Sequence, residues 1–155
     1  MILCLKEQVR INLNVKALMI KYMLDTNIVI YVLNRKPINV LDKFNLHAGQ
    51  MCISSITLSE LFHGAEKSVK TEQNLNRIED FCSRLEVLAY DDRASSHYGN
   101  IRAQLEQKGK LIGVNDLHIS GHARSLGFTL VTNNMKEFER VEGLRLENWI
   151  NNEIN

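Results

Sequence analysis

The sequence predicts an α/β fold with a central, mostly parallel sheet and helices on both faces. Short apolar runs of strand length alternate with longer segments whose apolar residues recur at helical spacing. Several runs stop directly at Asp or Asn and pass into a helix. No internal repeat or second-domain linker interrupts the 155 residues, a length that suits one domain.

The first strand is Met19 to Leu24, which ends at Asp25-Thr26-Asn27. Ile28, Val29, Val32 and Leu33 then continue in helix-like spacing. Pro37 breaks the chain, and Val40, Leu41, Phe44 and Leu46 make the apolar face of a second helix running to Gly49. Met51 to Ile53 is a short strand. Ser54 to Thr57 resembles a helix start, with Leu58, Leu61, Phe62 and Ala65 on one face, so Glu60 is expected near that helix's N-terminus.

Thr71 to Leu85 repeats the helical pattern, and Val87 to Tyr90 is a strand bounded by Asp91-Asp92. A helix follows over Ala94 to Gln107, closed at Gly109. Gly113 to Asp116 reads as a loop. The next helix carries Leu117, Ile119, Ala123 and Leu126 and stops at Gly127. Phe128 to Val131 is a strand ending at Thr132-Asn133-Asn134, and a last strand lies near Leu144 to Leu146.

Residues 1–18 alternate only weakly and end in no turn signal, which marks an N-terminal extension before a domain at 19–150 and a short tail at 151–155. Lys16, Lys21, Asn12 and Asn14 interrupt the apolar residues near the N-terminus, excluding a signal peptide and a membrane span there. Cys4, Cys52 and Cys82 are odd in number and far apart, which fits reduced thiols in a cytoplasmic protein. A net charge of +1 leaves no global footprint for nucleic acid, so any basic surface is local. Arg35-Lys36, Lys108 with Lys110, and Lys136 with Arg140 are the local candidates.

Ligands of open parallel sheets bind beyond the carboxyl ends of the strands. Asp25 and Asn134 follow strands directly, while Glu60 and Asp116 are expected at helix starts after loops. Side chains from four distant positions can therefore meet at one edge, where helix N-termini favour anions. Carboxylates without His or Cys suit a hard cation, Mg²⁺ or Mn²⁺, which can activate water against a phosphodiester. Taken singly, each acid also reads as an N-cap or a helix-dipole partner.

Other chemistries lack their residues. His118 and His122 have zinc-ligand spacing but no general-base Glu between them, and they read as a helix-face pair. Asn27 stands where an aspartyl phosphatase carries its second acid. Neither a Gly-rich phosphate loop nor a Gly-x-Ser-x-Gly elbow is present.

Met23-Leu-Asp-Thr-Asn27, Ile53-Ser-Ser-Ile-Thr-Leu-Ser-Glu60, Gly64-Ala65, Asn115-Asp116 and Val131-Thr-Asn-Asn134 with Phe138 together resemble the PIN-domain toxins of the VapC family. The resemblance spans about residues 19–150 and implies a three-layer PIN-like fold. It further implies a type II toxin that hydrolyses structured RNA such as transfer RNA, with Asp25, Glu60 and Asp116 matching the metal-binding acids. A fourth acid usual in the family falls at Asn134, with Glu137 one turn later, and Glu137 is favoured to complete the site because it brings charge. Thr26, Asn27 and Asn134 are expected as supporting residues. The implied partners are a VapB-type antitoxin and a second copy of the chain.

Two alternatives remain open: a non-catalytic module acting through an antitoxin and operator DNA, and a nuclease acting on DNA. Because reading frames of such pairs commonly overlap, translation is expected to start at Met19 or Met23.

Overall fold

A computed structural model of the chain describes residues 7–9 and 19–150. The tail at 151–155 and, apart from residues 7–9, the extension expected at 1–18 lie outside the described residues. Five strands form one sheet: β1 (Tyr22–Leu24), β2 (Met51–Ser54), β3 (Glu86–Leu88), β4 (Thr129–Val131) and β5 (Arg145–Glu147). Their order is β3-β2-β1-β4-β5, and every pairing is parallel. The expected mostly parallel sheet is thus parallel throughout its described strands.

The helices are α1 (Thr26–Asn34), α2 (Ile38–Leu46), α3 (Ser55–Glu66), α4 (Thr71–Cys82), α5 (Asp92–Gln107), α6 (Val114–Leu126) and the short α7 (Met135–Phe138). Successive residues of a strand point to opposite faces. Leu24, Met51, Ile53 and Val131 pack with α1 to α4, whereas Met23, Cys52 and Leu130 pack with Ile119 and Ala123 of α6 and Phe138 of α7. The apolar runs are unbroken because both faces of the sheet are covered, which gives three layers.

Some element edges differ from the sequence reading. α3 begins at Ser55, so Glu60 is its sixth residue, mid-helix, and not at its start. α6 begins at Val114, which makes the expected loop residues Val114, Asn115 and Asp116 the helix's first turn. Phe62, grouped with the core face by spacing, is 44% exposed while Leu61 is buried. Among the described residues no helix is long and apolar enough to cross a membrane.

Strand order positions the site. From β1 the chain moves outward through β2 to β3, then returns to the other side of β1 for β4 and β5. The sheet's direction of growth therefore reverses between β1 and β4. A crevice opens at such a switch point, outside the carboxyl ends of the two strands.

Candidate acidic site

Asp25 leaves β1 at that switch point. Its backbone N–H donates to Val131 O of β4 at 2.9 Å, and as N-cap of α1 its side chain accepts from Thr26 N at 2.7 Å. The other carboxylate oxygen accepts from the Thr132 hydroxyl at 2.9 Å. Asp25 is buried, and burial is the main force pushing its carboxyl up to about 6, against the hydrogen bonds of Thr132 and Thr26 and with the charges of Glu60 and Glu137 adding to the rise.

Asp116 comes from the first turn of α6, where an acid complements the helix dipole. Burial raises its carboxyl to about 7, assisted by the negative charges of Asp25, Glu137 and Glu60 and by a hydrogen bond with Glu137. Glu60 arrives from α3 and accepts the Thr26 hydroxyl at 2.7 Å; that hydroxyl also lies 3.4 Å from Thr57 Oγ1. An open cavity of about 450 Å³ is lined by Asp25, Thr26, Asn27, Glu60, Asn115 and Asp116, among others. Three acids from three segments line it, and the charge of Glu137, from α7, reaches Asp25 and Asp116.

Of the supporting residues, Thr26 holds Glu60 through its hydroxyl and donates its backbone N–H to Asp25, and Asn27 lines the cavity. Asn134 differs from Glu137 in what it touches. Its backbone N–H donates to Thr132 Oγ1 at 3.0 Å and its carbonyl begins α7, whereas the Glu137 side chain reaches Asp116. His118 and His122 are a structural pair. His118 Nδ1 meets the Tyr90 hydroxyl and buried His122 Nδ1 meets Ser54 Oγ, each at 2.9 Å. Burial lowers the basicity of both rings.

Thr132, Thr57, His63 and Lys67 escaped the sequence reading as site residues. Thr132 lay inside a quoted motif, but nothing in a sequence says that its hydroxyl turns toward Asp25. His63 and Lys67 line the acidic cavity and stand three and seven residues after Glu60, a spacing that places them on its face of α3. That signal was available. Among the loop cations, Lys108 lies 3.8 Å from Glu142 and Arg140 donates to Leu111 O, so both have local partners.

Replacing Thr132 by isosteric Val is expected to lower stability by about 1.5–3 kcal/mol at pH 8, because it removes a buried hydrogen bond to a charged acceptor. Urea melts against the unsubstituted protein measure it. An unchanged midpoint would mean that Asp25 is not anchored through this hydroxyl.

Fold and site together define an open parallel α/β protein with an acid cluster at the switch point of its sheet. The PIN domain matches residues 22–144. Over 132 residues the chain is 59% identical to Ribonuclease VapC2 of Haemophilus influenzae, covering 85% of this chain and 100% of that one. It is 56% identical over 131 residues to the tRNA(fMet)-specific endonuclease VapC of Shigella flexneri, covering 84% and 99%. The crystal structure of DNA-bound VapBC from Salmonella typhimurium is similar with a TM-score of 0.82 at 53% identity, covering 85% of this chain and 100% of that one. The chain belongs to the VapC ribonuclease branch of the PIN-domain family.

Proposed function

We propose that the chain is the toxin of a type II toxin–antitoxin pair, a cytoplasmic endoribonuclease whose domain at 19–150 hydrolyses structured RNA, with transfer RNA as the substrate class. In this reading Asp25, Glu60 and Asp116 hold Mg²⁺ or Mn²⁺, Glu137 completes the site, and Thr26, Asn27 and Asn134 support it. The observation that carries it is the gathering of Asp25, Glu60 and Asp116 around one crevice, with the charge of Glu137 bearing on two of them, in a chain that matches named ribonucleases along their whole length.

The donor set fits a divalent cation, as PIN-domain nucleases generally use. All candidate ligands are oxygens, and burial and mutual repulsion hold two carboxyls protonated up to about 6 and about 7, a deficit of positive charge that a cation would relieve. Among the described residues no three His, Cys, Asp or Glu side chains form a ready-made metal cage. In the proposed site the three acids therefore share the ion partly through coordinated waters, several of which Mg²⁺ commonly keeps. When bound, a divalent cation supplies Lewis acidity, acidifying coordinated water and offsetting charge on the phosphate.

The chain's own residues do the rest. Thr132 and the Thr26 N–H fix the Asp25 carboxylate, and the Thr26 hydroxyl fixes Glu60. The first turns of α1 and α6 direct free N–H groups toward the crevice, favouring a phosphate there. Asp116, whose carboxyl is raised to about 7, can hold a proton at neutral pH within the crevice.

Exposed Ile30 lines the acidic cavity and Phe62 is exposed on α3, giving a protein partner apolar surface to cover. A VapB-type antitoxin and a second copy of the chain are the proposed partners, as the VapBC complex from Salmonella typhimurium includes an antitoxin.

Purified, antitoxin-free protein is expected to cut total cellular RNA into discrete fragments with Mg²⁺ or Mn²⁺. EDTA or Asp25→Asn should abolish them. Folded protein that leaves RNA intact with either ion would overturn the enzymatic reading, and cleavage of DNA alone would reassign the substrate.

A further inference from the structure

The cavity that holds the acids also has a basic wall. His63, Gly64 and Lys67 line it beside Asp25, Glu60 and Asp116. Their spacing from Glu60 keeps them on one stripe of α3, and Lys67 lies about 10 Å along the axis from Glu60 at the usual helical rise. Both basic side chains are exposed, and among the described residues Lys67 enters no ion pair. Between them, a Cβ built at Gly64 meets nothing within 4 Å, so the wall is open there.

Charge explains why such a wall is needed. An acid cluster repels the phosphates on either side of the one it cleaves, and a net charge of +1 offers no general attraction to offset that repulsion. Attraction has to be local. We propose that Lys67 and His63 form a subsite for the RNA backbone, with Lys67 holding a phosphate that flanks the scissile one, His63 donating a ring N–H to the same strand, and the strand crossing the open surface at Gly64. This rests on the ribonuclease reading above.

The competing account is local to the helix. Lys67 is the C-cap of α3 and His63 lies in its last turn, where basic groups complement the dipole. A dipole role predicts altered stability with unaltered RNA affinity.

The test uses fluorescence anisotropy with a labelled transfer-RNA stem-loop, on a cleavage-inactive Asp25→Asn background, across about 50–200 mM salt. Lys67→Gln should weaken binding about 5–10-fold and reduce the slope of log affinity against log salt by about 0.7–0.9, the loss of one phosphate contact. Lys67→Arg should restore both, and His63→Gln should weaken binding about threefold. In otherwise unsubstituted protein, Lys67→Gln should raise KM by more than it lowers kcat. A lower melting temperature with affinity and slope unchanged would make Lys67 a helix-end charge and overturn the subsite. Cleavage by Lys67→Gln at the unsubstituted KM would remove the subsite alone, whereas an unsubstituted protein that neither binds nor cuts RNA would remove the ribonuclease reading and the subsite with it.

Discussion

Asp116→Asn is expected to remove about 10²–10³-fold of the cleavage rate and, in metal-free buffer near pH 8, to make the protein more stable. The two effects share one cause. Asp116 contributes a negative charge that the proposed cation needs, and a group stabilising charge in a reacting complex is commonly worth several kcal/mol. Without the cation, that charge sits partly buried among Asp25, Glu137 and Glu60, and its carboxyl rises from the ordinary 3.8 to about 7.

A raised carboxyl binds its proton more tightly in the folded chain than in the unfolded one. Folding stability therefore falls as pH rises from about 4 to about 7, and stays lowered above that. Full linkage over that window would amount to ~4 kcal/mol. Solvent screening of a side chain this open reduces it to about 1–2 kcal/mol. An amide at position 116 carries no charge and can still donate to Glu137, so the variant should recover that amount at pH 8 and little at pH 4.

Urea melts in EDTA at both pH values, with RNA cleavage measured in parallel, check the pair of effects. Mn²⁺ at about 100 times its Kd should add ~2.7 kcal/mol to the unsubstituted protein and markedly less to the variant. Full activity in Asp116→Asn would remove this residue from the site, and a variant less stable than the parent at pH 8 would refute the repulsion between the acids.

The layers were legible in the sequence because they depend on local pattern. A strand covered on both faces is apolar at every position, as Met23, Leu24 and Met51 to Ile53 are, and such runs separated by helical spacing leave few folds open. Asp25 was legible as a site residue because it ends one of those runs. Strand order was not legible, since nothing local to β4 says that it pairs with β1 and not with β3.

For the same reason Thr132, 107 positions from Asp25, became visible as its partner only once β1 and β4 lay side by side. Glu60 was identified but misplaced along its helix, and a mid-helix acid owes nothing to capping. Its hydrogen bond from Thr26 is a tertiary one. Asn134 and Glu137 likewise differ in what they touch, which sequence does not carry: Asn134 serves the turn through its backbone, and the Glu137 side chain bears on Asp116.

The second large effect is expected at Gly121, where one added methyl group should lower stability by about 1–3 kcal/mol even though alanine is the better helix former by about 1 kcal/mol. A Cβ at this position would stand 2.8 Å from Tyr98 N, 3.0 Å from Ala94 O and 3.1 Å from Tyr98 Cα. These are backbone atoms of α5, which cannot rotate away as a side chain can. Relief requires α5 to move off α6, opening the layer in which Tyr98 stacks on His118 at 4.1 Å. Asp116 begins that same α6, two residues before His118, so the displacement should reach the acid cluster and lower cleavage as well as stability.

Gly64→Ala provides the control. That glycine lies in the last turn of α3, and its Cβ meets nothing within 4 Å, so the propensity gain stands unopposed and stability should rise by about 0.5 kcal/mol. Urea midpoints of the two variants should therefore move in opposite directions for an identical chemical change. A stabilised Gly121→Ala would show that α5 and α6 do not approach this closely, while a destabilised Gly64→Ala would show that the surface of α3 facing the acids is occupied in the free protein.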